Sequence, residues 1–595
     1  MFPDADTTAG ALPASLSLRS LDTACKRRRD PYPMSTSKSS SNVAVDRDLV
    51  IVGGGPAGLT AAYQWSKAGG HSAVFEASDQ VGGIARTEQY KGYRFDIGGH
   101  RFFTKVKPVE KLWHEILTHE FIKVPRLSRI FYRGKYYDYP LSAFNALKNL
   151  GPYEAVRILL SYAKWKVKPS RVEENLEQWV SNRFGGRLFW HFFRTYTEKV
   201  WGIPCTEIRA DWAAQRIKNL SLRKAVWNAV SGRNDTTSLI SKFDYPKLGP
   251  GQMWEKCRDI VTEAGSTVHM ESPVTEVHRE GKRITGVTHR SADGSTHHRP
   301  LEELITSMPI TQLVQQMVPP APDAVREASG KLCYRDFLIV ALIVNEADPF
   351  PDNWIYIHAP EVKVGRIQNF RSWSEHMVPD PDTASLGLEY FCHKGDGLWN
   401  SDDAELIALA EKELIQLGLA RPGMVVDGTV VRQEKAYPVY DADYRANLQV
   451  VTDYLDGFEN LHTVGRNGMH RYNNQDHSML SAMLAVENLL GAKHDLWNVN
   501  VERSYHEDFV TRKQGADVEA DAGRDSDAAV SDGIRISGDD AASGIPDAGG
   551  RSHPDPVAVV TDAVAASSPI HGEAPNTSCG SGGRPDGGRQ QVQPA

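Results

Sequence analysis

Apolar runs in this chain are short, and several of them stop at glycine. Leu49–Val52 leads into Gly53-Gly54-Gly55, then into PAGLTAAYQWSKAGG with apolar positions at helical spacing, then into SAVF, which ends at Glu76. Strand, glycine turn, helix and strand in that order predict a βαβ unit. The longest apolar run, FLIVALIV from Phe337, falls well short of the roughly 18 residues that cross a bilayer and predicts a buried strand. From Gly265, GSTVHMESPVTEVHREGKRITGVTHR alternates apolar and polar like a β-meander. EKLWHEIL, RVEENLEQWVSNRFGG, DDAELIALAEKELIQLG and the late SMLSAMLAVENLL read as helices, and LGLEYFC as a further strand. Repeats are absent.

The ends carry no such pattern. Residues 1–45 are rich in Ser, Ala and Pro and contain KRRRD with no apolar run behind it, so they do not read as a secretory signal; Met34 is a second candidate start. Residues 513–595 contain no aromatic residue. Both segments are expected to be disordered, because they cannot bury enough apolar surface to offset chain entropy.

Composition narrows the classes. With 595 residues, 41% hydrophobic content and 13 Trp, the chain can build several cores. A formal charge of −7 gives no reason to expect nucleic acid. Six cysteines lack any CxxC pair or metal-ligand spacing, which suits reduced thiols, a cytoplasmic setting and no metal site.

Gly53, Gly55 and Gly58 form GxGxxG directly after the first strand. The first glycine lets the chain turn, the second lets backbone approach a pyrophosphate, and the third lets helix pack on strand. The helix opening at Pro56-Ala57 offers free N–H groups to phosphate, and Glu76 stands where an adenosine ribose is expected. Alone, GxGxxG is a weak signal; within βαβ and with the terminal acid it predicts a dinucleotide.

VGGIART then supplies Gly82-Gly83, a glycine pair that resembles FAD-binding members of the doubly wound class. YRFDIGGHRFF ends a strand at Gly98-Gly99-His100, and LHTVGRNG leads through Gly465-Arg466 to the late helix. The resemblance implies that Asn474, Gln475, Asp476 and Ser478 lie along the ribityl chain and flavin ring, with Val274 near the adenine. Asp and Ser at a helix start are also ordinary caps, and one set of atoms can serve both purposes.

The fold class that follows is α/β, a Rossmann-like FAD-binding domain with inserted helical and mixed β-sheet substrate elements. The expected FAD domain is discontinuous, 46–104 plus 245–300 plus 455–495. A mainly helical substrate domain is expected over 105–244 and a mixed-sheet substrate domain over 301–454. Interleaving of this kind resembles the amine-oxidase-like flavoproteins.

PRLSRIFYRGKYYDYPL, RTYTEKVWGIP, WIYIHAPEVKVGRIQNFRSWS, AYP and GRNGMHRY together resemble UDP-galactopyranose mutase over most of 46–495. That resemblance implies Arg194 and Arg366 on a diphosphate, with hydroxyls from Tyr356, Tyr437 and Tyr472. It further implies Arg126 and Arg466 nearby, and Trp179, Tyr139 and Leu141 bordering the uridine. Arginine forks suit phosphate oxygens bidentately, and tyrosines add neutral donors. His100, Arg194 and Arg366 are the expected catalytic residues.

The expected activity is pyranose–furanose interconversion of a UDP-sugar through a flavin N5–sugar adduct on reduced FAD. The implied reductant is of the NAD(P)H kind, and the implied setting is cell-surface polysaccharide biosynthesis. The alternative is an amine-oxidase- or protoporphyrinogen-oxidase-like FAD oxidoreductase, which Ala85-Arg86 after the glycine pair resembles. Such an enzyme wants an apolar tunnel, where unpaired arginines are costly. A third class, a catalytically silent FAD-binding partner protein, sits poorly with a complete cofactor framework. The sequence leaves the sugar, the nucleobase and the oligomeric state open.

Overall fold

The computed structural model describes residues 47–139, 141–210 and 241–499. The two segments expected to be disordered, Met34, Pro140 and part of the expected helical domain lie outside the described residues. Five short strands form a parallel sheet in the order Leu461–Thr463, Glu303–Thr306, Leu49–Val52, Ser72–Phe75, Thr267–His269. Chain order reverses on either side of Leu49–Val52, so the crevice beyond its carboxyl end is a topological switch point, the usual ligand position in such sheets. Helix Pro56–Lys67 packs between helices Gly251–Glu263 and Gln475–Leu489.

The opposite face packs on the expected meander. Val274–Glu280, Arg283–Arg290 and Thr296–Pro300 pair antiparallel, and their Val277, Ile284 and Val287 share one core with Val50 and Phe75 of the parallel sheet. Helices Asp323–Gly330 and Tyr444–Leu455 close this core with Val325, Val451 and Leu455.

A seven-stranded mixed sheet forms the second layer, in the order Val425–Pro438, Tyr334–Val344, Ala384–Cys392, Arg366–Asn369, Trp354–Ile357, Ser128–Tyr132, Lys135–Asp138. Tyr334–Val344 is buried along its whole length. Leu338, Val340 and Leu342 face helix Asp403–Gln416, whereas Phe337, Ile339 and Ala341 face a core with Phe95, Phe370 and Trp373. Burial on both faces is why the run is continuously apolar rather than alternating.

One expected boundary changes. The segment 105–244, expected to be mainly helical, also carries strands: Ser128–Tyr132 and Lys135–Asp138 join the seven-stranded sheet, and Phe121–Pro125 pairs with Lys242–Pro246. Residues from 301 onward do not begin the substrate sheet, because Glu303–Thr306 fills the place between Leu49–Val52 and Leu461–Thr463. A parallel sheet needs crossovers, so its strands are scattered along the chain, and strand Glu303–Thr306 is as short as its neighbours.

Candidate active site

The cofactor cradle is built from the carboxyl ends of the parallel strands. Gly53 turns with φ +102°, and a Cβ on Gly58 would meet the Gly53 carbonyl oxygen at 1.8 Å. Gly55 differs: the nearest atom to a Cβ there is 3.7 Å away, on Gly83. Protein packing therefore demands glycine at 53 and 58, while the space over Gly55 is left for something else. Helix Pro56–Lys67 starts with no side-chain cap and no acid in its first turn, so its N–H groups and positive dipole end remain available to an anion. Glu76 accepts from Gly54 N–H at 2.6 Å and from Ser78 N–H and Oγ at 2.9 and 2.7 Å. A carboxylate has about four acceptor positions, so ribose hydroxyls can still bind. Gly82 donates to the Gly54 carbonyl at 2.9 Å and sets Gly83 against Gly55. Val274 is buried at the start of its strand, two residues after Ser272, which donates to the Glu76 carbonyl.

The late helix arrives beside this cradle. Gly465 turns with φ +83°, and a Cβ there would lie 3.1 Å from Ala57. Asn474 caps helix Gln475–Leu489, and His477 reaches back to the Asn474 N–H, completing a capping box. Both side-chain polar atoms of Gln475, and Oδ2 of Asp476, are buried without a hydrogen-bond partner among the described residues. Burial raises the Asp476 carboxyl to about 6. Orphaned buried polar atoms of this kind need a partner, and the hydroxylated chain of FAD has the right chemistry. Ser478 N–H is taken by the Asn474 carbonyl in the first helical turn, and Ser478 is buried.

A polar aromatic cluster lies against the second layer. Tyr139 and Tyr356 stand 4.5 Å apart between ring centroids, Tyr196 meets Tyr356 edge-on at 5.5 Å, and Tyr437 stacks on Tyr472 at 5.6 Å. Arg126 lies 5.5 Å from both the Tyr139 and Trp354 rings, and Arg101 lies 5.9 Å from Trp354. Burial disfavours the charge of both arginines, and each is further opposed by a neighbouring arginine. Arg366 is held by the fully buried Glu389 at 2.7 Å, and Gln368 donates to the other oxygen of that carboxylate at 2.5 Å. Burial opposes the Arg366 charge, but Glu389 outweighs it and keeps the guanidinium protonated. His100 donates Nε2–H to the Ile97 carbonyl at 2.9 Å, and burial, with Arg466 and Arg366 nearby, lowers its pKa to about 4. It is neutral at pH 7. Gly99 sits against Trp373, and Gly98 lies between Arg366 and His100.

Not every expected residue joins this group. Arg194 stands apart from it: its side chain is 50% exposed and pairs with Glu198 at 3.2 Å, one turn on along the same helix. A π-helical stretch, Trp190–Arg194, precedes that turn, and it is Tyr196 that faces the cluster. Trp179 is buried in the helical core under Arg183 at 3.9 Å. Leu141 packs on that same core. Arg466 lies over the Tyr472 ring at 4.9 Å, and two of its five donors go to the Asn473 and Ala436 carbonyls, both at 2.9 Å. Arg101, Tyr196 and Glu389 are the site residues the sequence reading left out. Each had a signal: Arg101 directly follows His100, Tyr196 sits within the quoted RTYTEKVW, and Glu389 is the lone acid in an apolar strand.

The family described as flavin containing amine oxidoreductase matches residues 56–420. Among curated relatives, a probable flavin-containing monoamine oxidase A of Dictyostelium discoideum is 34% identical over 113 residues, covering 18% of this chain and 25% of that protein. Putrescine oxidase of Kocuria rosea is 48% identical over 59 residues, covering 10% of this chain and 12% of that protein. The chain thus spans a quarter or less of either relative. Among solved structures, a reduced UDP-galactopyranose mutase superposes with a TM-score of 0.67 at 20% identity, covering 77% of this chain and 98% of that one. A redesigned putrescine oxidase superposes with a TM-score of 0.51 at 15% identity, covering 75% and 99%. At these identities the structural likeness speaks for the fold alone.

Proposed function

Because the chain belongs to the flavin containing amine oxidoreductase family and is an FAD enzyme, we propose that within this family it acts as a nucleotide-sugar mutase, interconverting the pyranose and furanose forms of a UDP-sugar. One observation carries the proposal: Arg101, Arg126 and Arg366 gather with Tyr139, Tyr356, Tyr437 and Tyr472 beside the predicted flavin position. A pocket for a small cationic amine gains nothing from buried guanidinium groups, whereas two phosphates match their forks.

Bound FAD in its reduced form supplies a nucleophilic centre toward the anomeric carbon. The chain's own residues do the remaining work. Arg101 and Arg126, whose charge the buried site disfavours, gain most when a diphosphate arrives, and more as the leaving group takes on charge. Arg366 is prevented by Glu389 from losing its proton and from wandering. The tyrosine hydroxyls donate without adding charge. Neutral His100 adds no charge beside the anion, and Asp476, raised to about 6, takes up a proton more readily than an ordinary carboxylate while remaining mostly ionised at pH 7. A reductant of the NAD(P)H kind is part of the reading, since the reduced cofactor has to be supplied.

The second reading is an oxidase, favoured by the oxidases among the partial sequence relatives. Turnover of UDP-galactopyranose by dithionite-reduced enzyme, set against oxygen consumption by oxidised enzyme with amines, separates the two. Oxygen consumption without UDP-sugar turnover overturns the proposal.

A further inference from the structure

Helix Pro152–Val167 has two faces of opposite character. Inward it sends Ile158, fully buried, and Glu154, which accepts from Arg187 and His191. Outward it turns Tyr153, Val156, Leu159, Leu160 and Val167, exposed by 74%, 56%, 41%, 65% and 87%. At about 100° per residue these five positions fall within roughly one third of the helix circumference. Exposed apolar side chains scattered singly need no account, but a contiguous stripe does.

Charge identifies what the stripe meets. Arg157, Lys164 and Lys168 are exposed and follow one edge of it, and Lys166 follows the other, with Nζ at 3.2 Å from the Asn182 carbonyl. Glu154 is the lone acid of the helix, and it faces inward. The local balance is therefore positive, although the whole chain carries −7. An apolar stripe edged by long cationic side chains is the design of a helix that lies in a membrane interface, where lysine and arginine stems cover apolar surface while their heads reach anionic headgroups. Among the described residues no helix is long and apolar enough to cross a membrane, so this contact is with the surface.

We propose that helix Pro152–Val167 docks the protein on the surface of a membrane carrying anionic lipid. The proposal concerns a face separate from the flavin site and does not rest on the mutase reading.

The test is co-sedimentation of full-length, FAD-loaded protein with phosphatidylcholine vesicles, with and without about one third phosphatidylglycerol. The expected result is binding to the anionic vesicles only, weakened by salt. Lys164→Gln with Lys168→Gln weakens it by roughly twenty-five-fold, since each removed cation costs about fivefold near an anionic surface. Val156→Ser with Leu160→Ser abolishes it, and the flavin spectrum of both double variants stays that of wild type, because all four positions face solvent. No binding to either vesicle, equal binding to both, or wild-type binding by both double variants overturns the proposal. So does a serine variant that dissociates an oligomer in sedimentation velocity while still binding vesicles, which would make the face a contact between copies.

Discussion

Arg126→Ala removes a guanidinium lying 5.5 Å from the Tyr139 and Trp354 ring centroids. Burial and the neighbouring Arg101 both work against its charge, so an arriving phosphate relieves an unfavourable charge as well as making a bond. A charge-assisted hydrogen bond contributes roughly 1.5–3 kcal/mol, which raises the Kd for UDP by about tenfold to a hundredfold. Arg101→Ala has an effect of the same size. Arg194→Ala does not: its side chain is 50% exposed and its partner Glu198 is one helical turn away at 3.2 Å. Pairs of that kind are worth about 0.3–0.5 kcal/mol, so UDP affinity changes by less than about threefold.

Isothermal titration of UDP into FAD-loaded wild type and the three variants reads these numbers directly, with the flavin absorbance spectrum as the control for folding. Arg126→Lys recovers only part of the loss, because a point charge does not reproduce the guanidinium fork. Equal losses in Arg194→Ala and Arg126→Ala would refute the geometry given to Arg194. Unchanged UDP affinity in both Arg101→Ala and Arg126→Ala would take the diphosphate out of the site altogether and leave the oxidase reading standing.

Glu389→Ala strands the Arg366 guanidinium and the Gln368 amide in a site where Glu389 is fully buried; breaking such a pair costs about 3–5 kcal/mol, and a chemical-denaturation loss below about 1 kcal/mol would contradict it. Gly55→Val, with 3.7 Å of clearance to the nearest protein atom, yields folded protein that purifies without flavin, whereas Gly58→Val, 1.8 Å from the Gly53 carbonyl, loses soluble protein; flavin retained by Gly55→Val would remove the pyrophosphate from that turn. Burial raises Asp96 to about 7 despite hydrogen bonds from Tyr245 and Thr87. Its folded pKa thus lies above the unfolded value of about 3.9. The folded state then holds one more proton than the unfolded chain between these values, and stability falls as pH rises through that window, by up to ~1.4 kcal/mol per pH unit, levelling above it. Asp96→Asn removes that component, so urea denaturation of wild type and variant at pH 5 and 7.5 should diverge; identical pH dependence would refute it.

What could be read from the sequence divides by the range of the interaction responsible. The Leu49–Glu76 unit was legible because its causes are local: a strand, a turn that needs φ +102° at Gly53, and a helix that must pass within contact of Gly53 at Gly58. The buried run at Phe337 was legible as a strand, but not which residues face helix Asp403–Gln416 and which face Phe370, since both faces are apolar. Strand Glu303–Thr306 lies in a different layer from the one its place in the chain suggests, because membership of a parallel sheet is set by partners more than about 150 residues away, here Leu49–Val52 and Leu461–Thr463. The arginines show the same limit at finer scale. Arg194 and Tyr196 are two residues apart on one helical turn, so they point in different directions, and a motif that contains both cannot say which one turns inward. Packing decides it: Tyr196 lies flat against His358 at 4.7 Å, an aromatic pair that gains from burial, and that contact leaves Arg194 to the solvent and Glu198. A motif thus locates the helical turn that carries the chemistry, and the apolar partner across the gap selects the side chain.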